Sequence, residues 1–102
     1  MKQNQGKEAS LNNYRIFETE QFRTDLNFLT SSNREKTANR LQEFVYPQLR
    51  QHPHYGPYIK KLKGLVPNTW RYRIGAWRFY FEIDEKEKII FMLAASHRSV
   101  AY

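Results

Sequence analysis

The sequence predicts a small α+β domain, on three observations. Two stretches carry apolar residues at helical spacing, and both lie in the first half of the chain. Two strictly alternating runs flank the dipeptide Gly75-Ala76 in the second half, and a third apolar run follows them. The chain has 102 residues, which is one domain's worth. The expected order is β-α-α-β-β-β, with two N-terminal helices packed on one face of an antiparallel sheet.

Residues 1–13 are polar and without periodicity, and read as a flexible arm ahead of a domain spanning 14–102. Tyr14, Ile16 and Glu18 start an alternating segment, the first strand. Thr19 is placed to cap a helix in which Phe22, Leu26 and Leu29 recur on one face. Ser32 and Glu35 fit the S-x-x-E capping box, so a second helix is expected there, with Ala38, Leu41, Val45 and Leu49 as its apolar stripe. Pro47 falls inside that stripe and must kink the helix or end it near Tyr46. His52 to Pro57 is a loop, and the basic segment Lys60 to Gly64 leads from it into the strands.

Gly75-Ala76 between two alternating runs reads as a type II′ hairpin turn. A two-residue turn there pairs Ile74 with Trp77, Tyr72 with Phe79 and Trp70 with Phe81 on one face. On the other it pairs Arg73 with Arg78 and Arg71 with Tyr80. Asp84 to Glu87 forms the next polar turn, and residues from Lys88 to Ser96 form the last strand. Trp70, Phe79, Phe81, Leu26, Leu41 and Val45 are expected to be buried.

The charge is concentrated. Net charge is +7, and residues 60–80 hold six cations, Lys60, Lys61, Lys63, Arg71, Arg73 and Arg78, with no acid. Such a patch attracts polyanions, of which nucleic acid is the commonest. The alternative is a solvated basic face with no partner. Register argues for the partner. Like charges set directly across a ladder are destabilising, so Arg73 opposite Arg78 makes sense if an anion comes between them. Arg98 and Tyr102, with His97 beside them, follow the last strand, and a one-residue slip would exchange which of His97 and Arg98 meets the basic surface.

Other chemistries find little support. There is no cysteine, so disulfides and thiolate metal sites are excluded. His52 and His54 form an H-x-H pair, but the remaining histidine is His97 and no acidic cluster lies near, so no metal is expected. There is no Gly-rich phosphate loop and no nucleophile elbow, so neither a cofactor nor a small-molecule ligand is expected. No run is apolar enough to suggest a membrane span. Tyr55 and Tyr58 have two readings, stacking on bases or packing around their loop.

The run from Lys61 to Gly64 (KLKG), then WRYRIGAWRFYFEID, then a hydrophobic strand ending in SHRSVAY, resembles the RelE/ParE toxin superfamily across residues 14–102. That resemblance implies the β-α-α-β-β-β fold and the toxin of a toxin–antitoxin pair. It implies a cytoplasmic, metal-independent endoribonuclease that cuts mRNA on the ribosome and inhibits translation. Its partners would be a cognate antitoxin, the ribosome and mRNA. By similarity Arg71 and Arg73 match two basic positions on a strand, Arg78 the arginine leaving the turn, Arg98 the arginine ending the last strand, and Tyr102 the tyrosine beyond it. Lys60, Lys61 and Lys63 would join Arg71 and Arg73 in RNA binding. Ala76 after Gly75 is a mild variation, and several relatives continue into a further helix where this sequence ends. Cutting RNA through its own 2′-hydroxyl needs a base, cations for the phosphorane charge and an acid. Tyrosine, with a reference pKa of about 10, needs neighbouring arginines to favour phenolate. Histidine, at about 6.5, needs no such help. Two assignments therefore stand: Tyr102 as base, or His97 as acid or base with Tyr102 positioning. The alternatives in function are a ParE-like inhibitor of DNA gyrase that acts by binding, and a non-catalytic basic RNA-binding module.

Overall fold

The computed structural model describes residues 13–29 and 34–98. Strand β1 (Arg15–Glu18) is followed by helix α1 (Glu20–Leu29). Thr19 caps α1 as expected, its Oγ1 accepting from the Phe22 N–H at 3.2 Å. Helix α2 (Arg34–Arg40) runs through a π-helical stretch, Leu41–Val45, into α3 (Tyr46–Gln51). Ser32, the expected capping residue of α2, lies outside the described residues.

Pro47 neither ends the helical path nor breaks it. A proline has no N–H and its ring collides with the carbonyl one turn back. The wider π turn just ahead of it absorbs that misfit, and the Tyr46 N–H reaches back to the Leu41 carbonyl. Three helical segments therefore stand where two helices were expected. The stripe shifts as well. Ala38 is exposed and Thr37 is buried in its place, one turn ahead of Leu41.

The sheet has five strands, in the order β1-β5-β4-β3-β2. They are β1, β2 (Ile59–Leu62), β3 (Thr69–Ile74), β4 (Trp77–Asp84) and β5 (Ile89–His97). Two features depart from the expected antiparallel four-stranded arrangement. β2 is an additional edge strand, antiparallel to β3. β1 lies parallel to β5, so the sheet is mixed. Alternation of side chains is the same for either direction, so it could not distinguish them.

The hairpin register is the expected one. Trp70 faces Phe81, Tyr72 faces Phe79 and Ile74 faces Trp77. Gly75 supplies the positive φ of 60° that a II′ turn needs at its first position. The core is formed by Phe22, Leu41, Val45, Tyr46 and Leu49 from the helices with Tyr72, Trp77, Phe79, Phe81, Ile90, Met92 and Ala95 from the sheet. Trp70 and Leu26, expected in the core, are only partly buried and pack against it. Trp70 sits near the β2 edge, with Lys61 Nζ 5.7 Å from its ring and the His54 ring 5.3 Å away.

A cluster of polar side chains fixes the loop before β2. Tyr14 Oη donates to Glu85 Oε1 at 2.8 Å, and His54 Nε2 lies 2.5 Å from Glu85 Oε2. Together they join the start of β1, the loop and the β4–β5 turn. Deeper in the protein, Tyr46 Oη donates to Glu18 Oε2 at 2.5 Å. Burial, then the adjoining carboxylate, pushes both phenols up, Tyr14 to about 12. Below pH 10 both tyrosines are neutral, folded or unfolded. Above it the unfolded chain ionises while the folded one resists, so folding stability is lost as pH rises through about 12. Urea unfolding midpoints should fall steadily from about pH 10 upward, and Tyr46→Phe should flatten that fall.

Candidate nucleic-acid interface

The helices cover one face of the sheet and leave the other to solvent. Side chains alternate, so the residues that oppose the core residues define the open face. Lys60 of β2 is paired with Arg71 of β3, which faces Tyr80 of β4. One step along the strands Arg73 is paired with Arg78, which faces Ser96 of β5. Arg98 continues the alternation of Ser96, and its N–H donates to the Ala76 carbonyl at 2.8 Å.

The open face thus carries two cross-strand cation pairs side by side, Lys60–Arg71 and Arg73–Arg78. Neighbouring strands lie about 4.8 Å apart, so these cations repel one another at close range. Among the described residues no ion pair engages Lys60, Arg71, Arg73, Arg78 or Arg98. Arg71 Nε is buried and has no hydrogen-bond partner. An unsatisfied buried donor costs about 1–3 kcal/mol, and an incoming acceptor would recover it. Arg71, Arg73 and Lys60, with Pro57, Tyr58, Ile59 and Gly75, line an open cleft of about 500 Å³. Glu82 and Asp84 share the face: Glu82 is a diagonal neighbour of Arg71, and Asp84 lies at the far end of β4.

Position on the open face depends on one irregularity. Between Tyr80 and Phe81 the β4–β5 register shifts by one residue, which leaves Leu93 as the extra residue of β5. α1 holds this bulge in place: Thr19 Oγ1 lies 2.9 Å from the Met92 carbonyl and 3.2 Å from that of Leu93, and Asp25 Oδ2 accepts from the Ala95 N–H at 2.9 Å. Beyond the bulge every β5 side chain changes face. Ser96 therefore lies on the arginine side, and His97 on the core side, where its ring meets Trp77 edge-on at 4.9 Å.

The site residues expected from sequence are thus divided. Arg71, Arg73, Arg78 and Lys60 come together, and Arg98 adjoins them. His97 is on the opposite face, as is Lys61 over Trp70. Lys63 is exposed in the turn after β2, and Tyr102 lies outside the described residues. Sequence reasoning missed Arg40, at the end of α2. A Cβ at Gly75 would stand 3.5 Å from Arg40 Nη1, so this guanidinium lies beside the hairpin turn. Nothing in the helical periodicity connects residue 40 with residue 75, and only the tertiary fold could reveal it.

Among the described residues no helix is long and apolar enough to cross a membrane, and no group of three His, Cys, Asp or Glu side chains is placed to hold a metal ion.

No protein family's sequence profile matches the chain, and no curated protein does. Solved structures do. The RelBE2 toxin–antitoxin complex of Mycobacterium tuberculosis contains a chain 24% identical, with a TM-score of 0.70, over 86% of this chain and 94% of that one. The archaeal RelE–RelB complex of Pyrococcus horikoshii contains a chain 22% identical, with a TM-score of 0.60, over 87% and 99%. The YoeB dimer of Staphylococcus aureus is 17% identical, with a TM-score of 0.64, over 88% and 99%. At these identities the likeness is one of fold.

Proposed function

We propose that this chain, which has the fold of RelE-type toxins, is the toxin of a toxin–antitoxin pair and acts as a metal-independent endoribonuclease on mRNA at the ribosome. The observation that carries the reading is the open arginine face, with Lys60 set against Arg71 and Arg73 against Arg78 and no ion pair to them among the described residues. A face arranged this way loses stability in the free protein and regains it when phosphates come between the cations.

In this reading Lys60, Arg71 and Arg73 hold the RNA backbone. Arg78 and Arg98 stabilise the charge that develops when a 2′-hydroxyl attacks its own 3′-phosphate. The 2′-hydroxyl loses its proton to the base and forms a 2′,3′-cyclic phosphate, while the bond from phosphorus to the 5′-oxygen breaks and that oxygen takes up a proton to become a 5′-hydroxyl. The contact of His97 with Trp77 on the other face favours Tyr102 as the base, a role in which nearby arginines would favour its phenolate. Lys61 and Lys63 add long-range attraction rather than contacts at the site. The partner is an antitoxin whose negatively charged segment lies on the same face, and both RelB-bound neighbours accord with a partner of that kind.

Pulse labelling after induced expression tests this. Protein synthesis should fall before DNA synthesis, and primer extension should find new 5′ ends inside translated messages. A fall in DNA synthesis first, with gyrase-linked breaks and intact messages, would overturn the nuclease reading in favour of gyrase inhibition.

A further inference from the structure

Resting on the RNA reading of the arginine face, we propose that the cleft beside β2 is a subsite for one unpaired nucleotide, its base stacked on Tyr58 and its phosphate held by Lys60 and Arg71. The cleft lies off the row formed by Arg78 and Arg98, and its lining residues bring Tyr58 together with three cations, Lys60, Arg71 and Arg73. Its volume of about 500 Å³ is in the range that small ligands occupy, about 300–1,000 Å³. That volume is enough for a single nucleotide.

Tyr58 is built for stacking. It is 53% exposed, although it precedes a strand by one residue. Its backbone carbonyl accepts from the Arg73 N–H at 2.9 Å, which ties its position to the arginine ladder. Its ring is backed by the buried Tyr72 at 5.8 Å, tilted by 38°. Tyr72 belongs to the core face, so the Tyr58 ring rests on the edge of the core and keeps about half of its surface free for stacking. Tyr55, in the same loop and 73% exposed, turns instead to His54 and does not line the cleft.

The phosphate half is equally specific. Arg71 brings a buried, unpartnered Nε, and Lys60 stands directly across the ladder from it. Arg71 and Arg78 are diagonal neighbours on β3 and β4, which sets them roughly 7–8 Å apart at the backbone. That is about one step of an extended single strand. A nucleotide in the cleft is therefore the neighbour of the one whose phosphate lies at Arg78, so the cleft sets which bond is presented for cutting.

The test is fluorescence anisotropy of the full chain with a 2′-O-methyl trinucleotide, which cannot be cut, and with a closed RNA hairpin as the duplex probe. Tyr58→Ala should weaken trinucleotide binding about 10-fold or more without changing its salt dependence. Tyr58→Phe should bind like the parent, and Tyr55→Ala likewise. Lys60→Ala should lower the log–log salt slope by about 0.7. Hairpin binding should be unaffected by Tyr58→Ala. An equal loss in the Phe variant, an equal loss on the hairpin, or no loss at all in Tyr58→Ala overturns the subsite. Circular dichroism keeps a misfolded variant from being counted. The outcomes separate from those of the function itself. Arrested translation with Tyr58-independent binding removes the subsite alone. Tyr58-dependent binding with unimpaired translation retains the subsite and removes the nuclease.

Discussion

Arg78→Ala is expected to lower the rate of RNA cleavage about 100- to 1,000-fold, roughly 3–4 kcal/mol of transition-state stabilisation, while changing ribosome affinity little. The reason lies in where the guanidinium stands. Arg78 is half-buried in the centre of the open face, between Arg73 and Ser96, and is held by a β-ladder on both sides. A charge fixed in advance needs no reorganisation when the phosphorane forms, and that is the condition under which one donor is worth most. Arg98→Ala should behave similarly. Arg73→Ala, by contrast, should weaken binding and reduce its salt dependence, since an exposed cation that touches only the backbone contributes mainly through released counterions. Tyr102→Phe removes a single oxygen and should nearly abolish cleavage, whereas His97→Ala should be milder. Single-turnover cleavage on programmed ribosomes measures all five. If the Arg78, Arg98, His97 and Tyr102 variants all cut like the parent, the arginine face binds RNA but does not cleave it.

Phe79→Ala should cost about 3–5 kcal/mol of folding stability. Phe79 has no exposed surface, packs against Phe22 of α1 at 6.0 Å and stacks on Trp77 at 5.4 Å, and so joins the helical layer to the centre of the sheet. Removing the ring leaves a cavity between α1 and the sheet. A domain of this size has about 5–15 kcal/mol in all, so the variant should populate unfolded chain at ordinary temperature. Urea unfolding followed by tryptophan fluorescence gives the shift in midpoint. Phe17→Ala, at an exposed position on β1, should move it by well under half as much. Equal shifts would mean that Phe79 is not the centre of the core.

The hairpin was legible because it rests on local chemistry. Gly-X between two alternating runs fixes the turn, the turn fixes the pairing, and Arg73 then has to face Arg78. β2 was not legible, for an equally local reason. Ile59, Lys60, Lys61 and Leu62 show no alternation, because an edge strand meets one neighbour and its outer positions answer to solvent; lysines there also discourage pairing with another chain. The side on which His97 falls was undecidable for a different reason. It depends on the Leu93 bulge, which is held by Thr19 and Asp25 some 70 residues away, at sequence separations of 74 and 70 for two of these bonds. The π turn before Pro47 shows the same limit on a smaller scale, since a proline announces a misfit without saying how the helix will absorb it.

The pairing of β1 with β5 has a bearing on how the molecule comes into being. Arg15 lies beside Ile89 and Glu18 beside Met92, so the first of the described strands is completed by the last of them. Closing so long a loop costs chain entropy before any contact across it repays that cost, and such topologies fold slowly for their size. A nascent chain can therefore build its helices and the β3–β4 hairpin early, but the sheet stays open along one side until residue 92 is free to dock. The bulge that turns Ser96 toward the arginines is tied down by α1 in the same event. Assembly of the arginine face is thus coupled to the docking of β5, and a chain that stops short of β5 would carry the cations without the geometry that gives them their use.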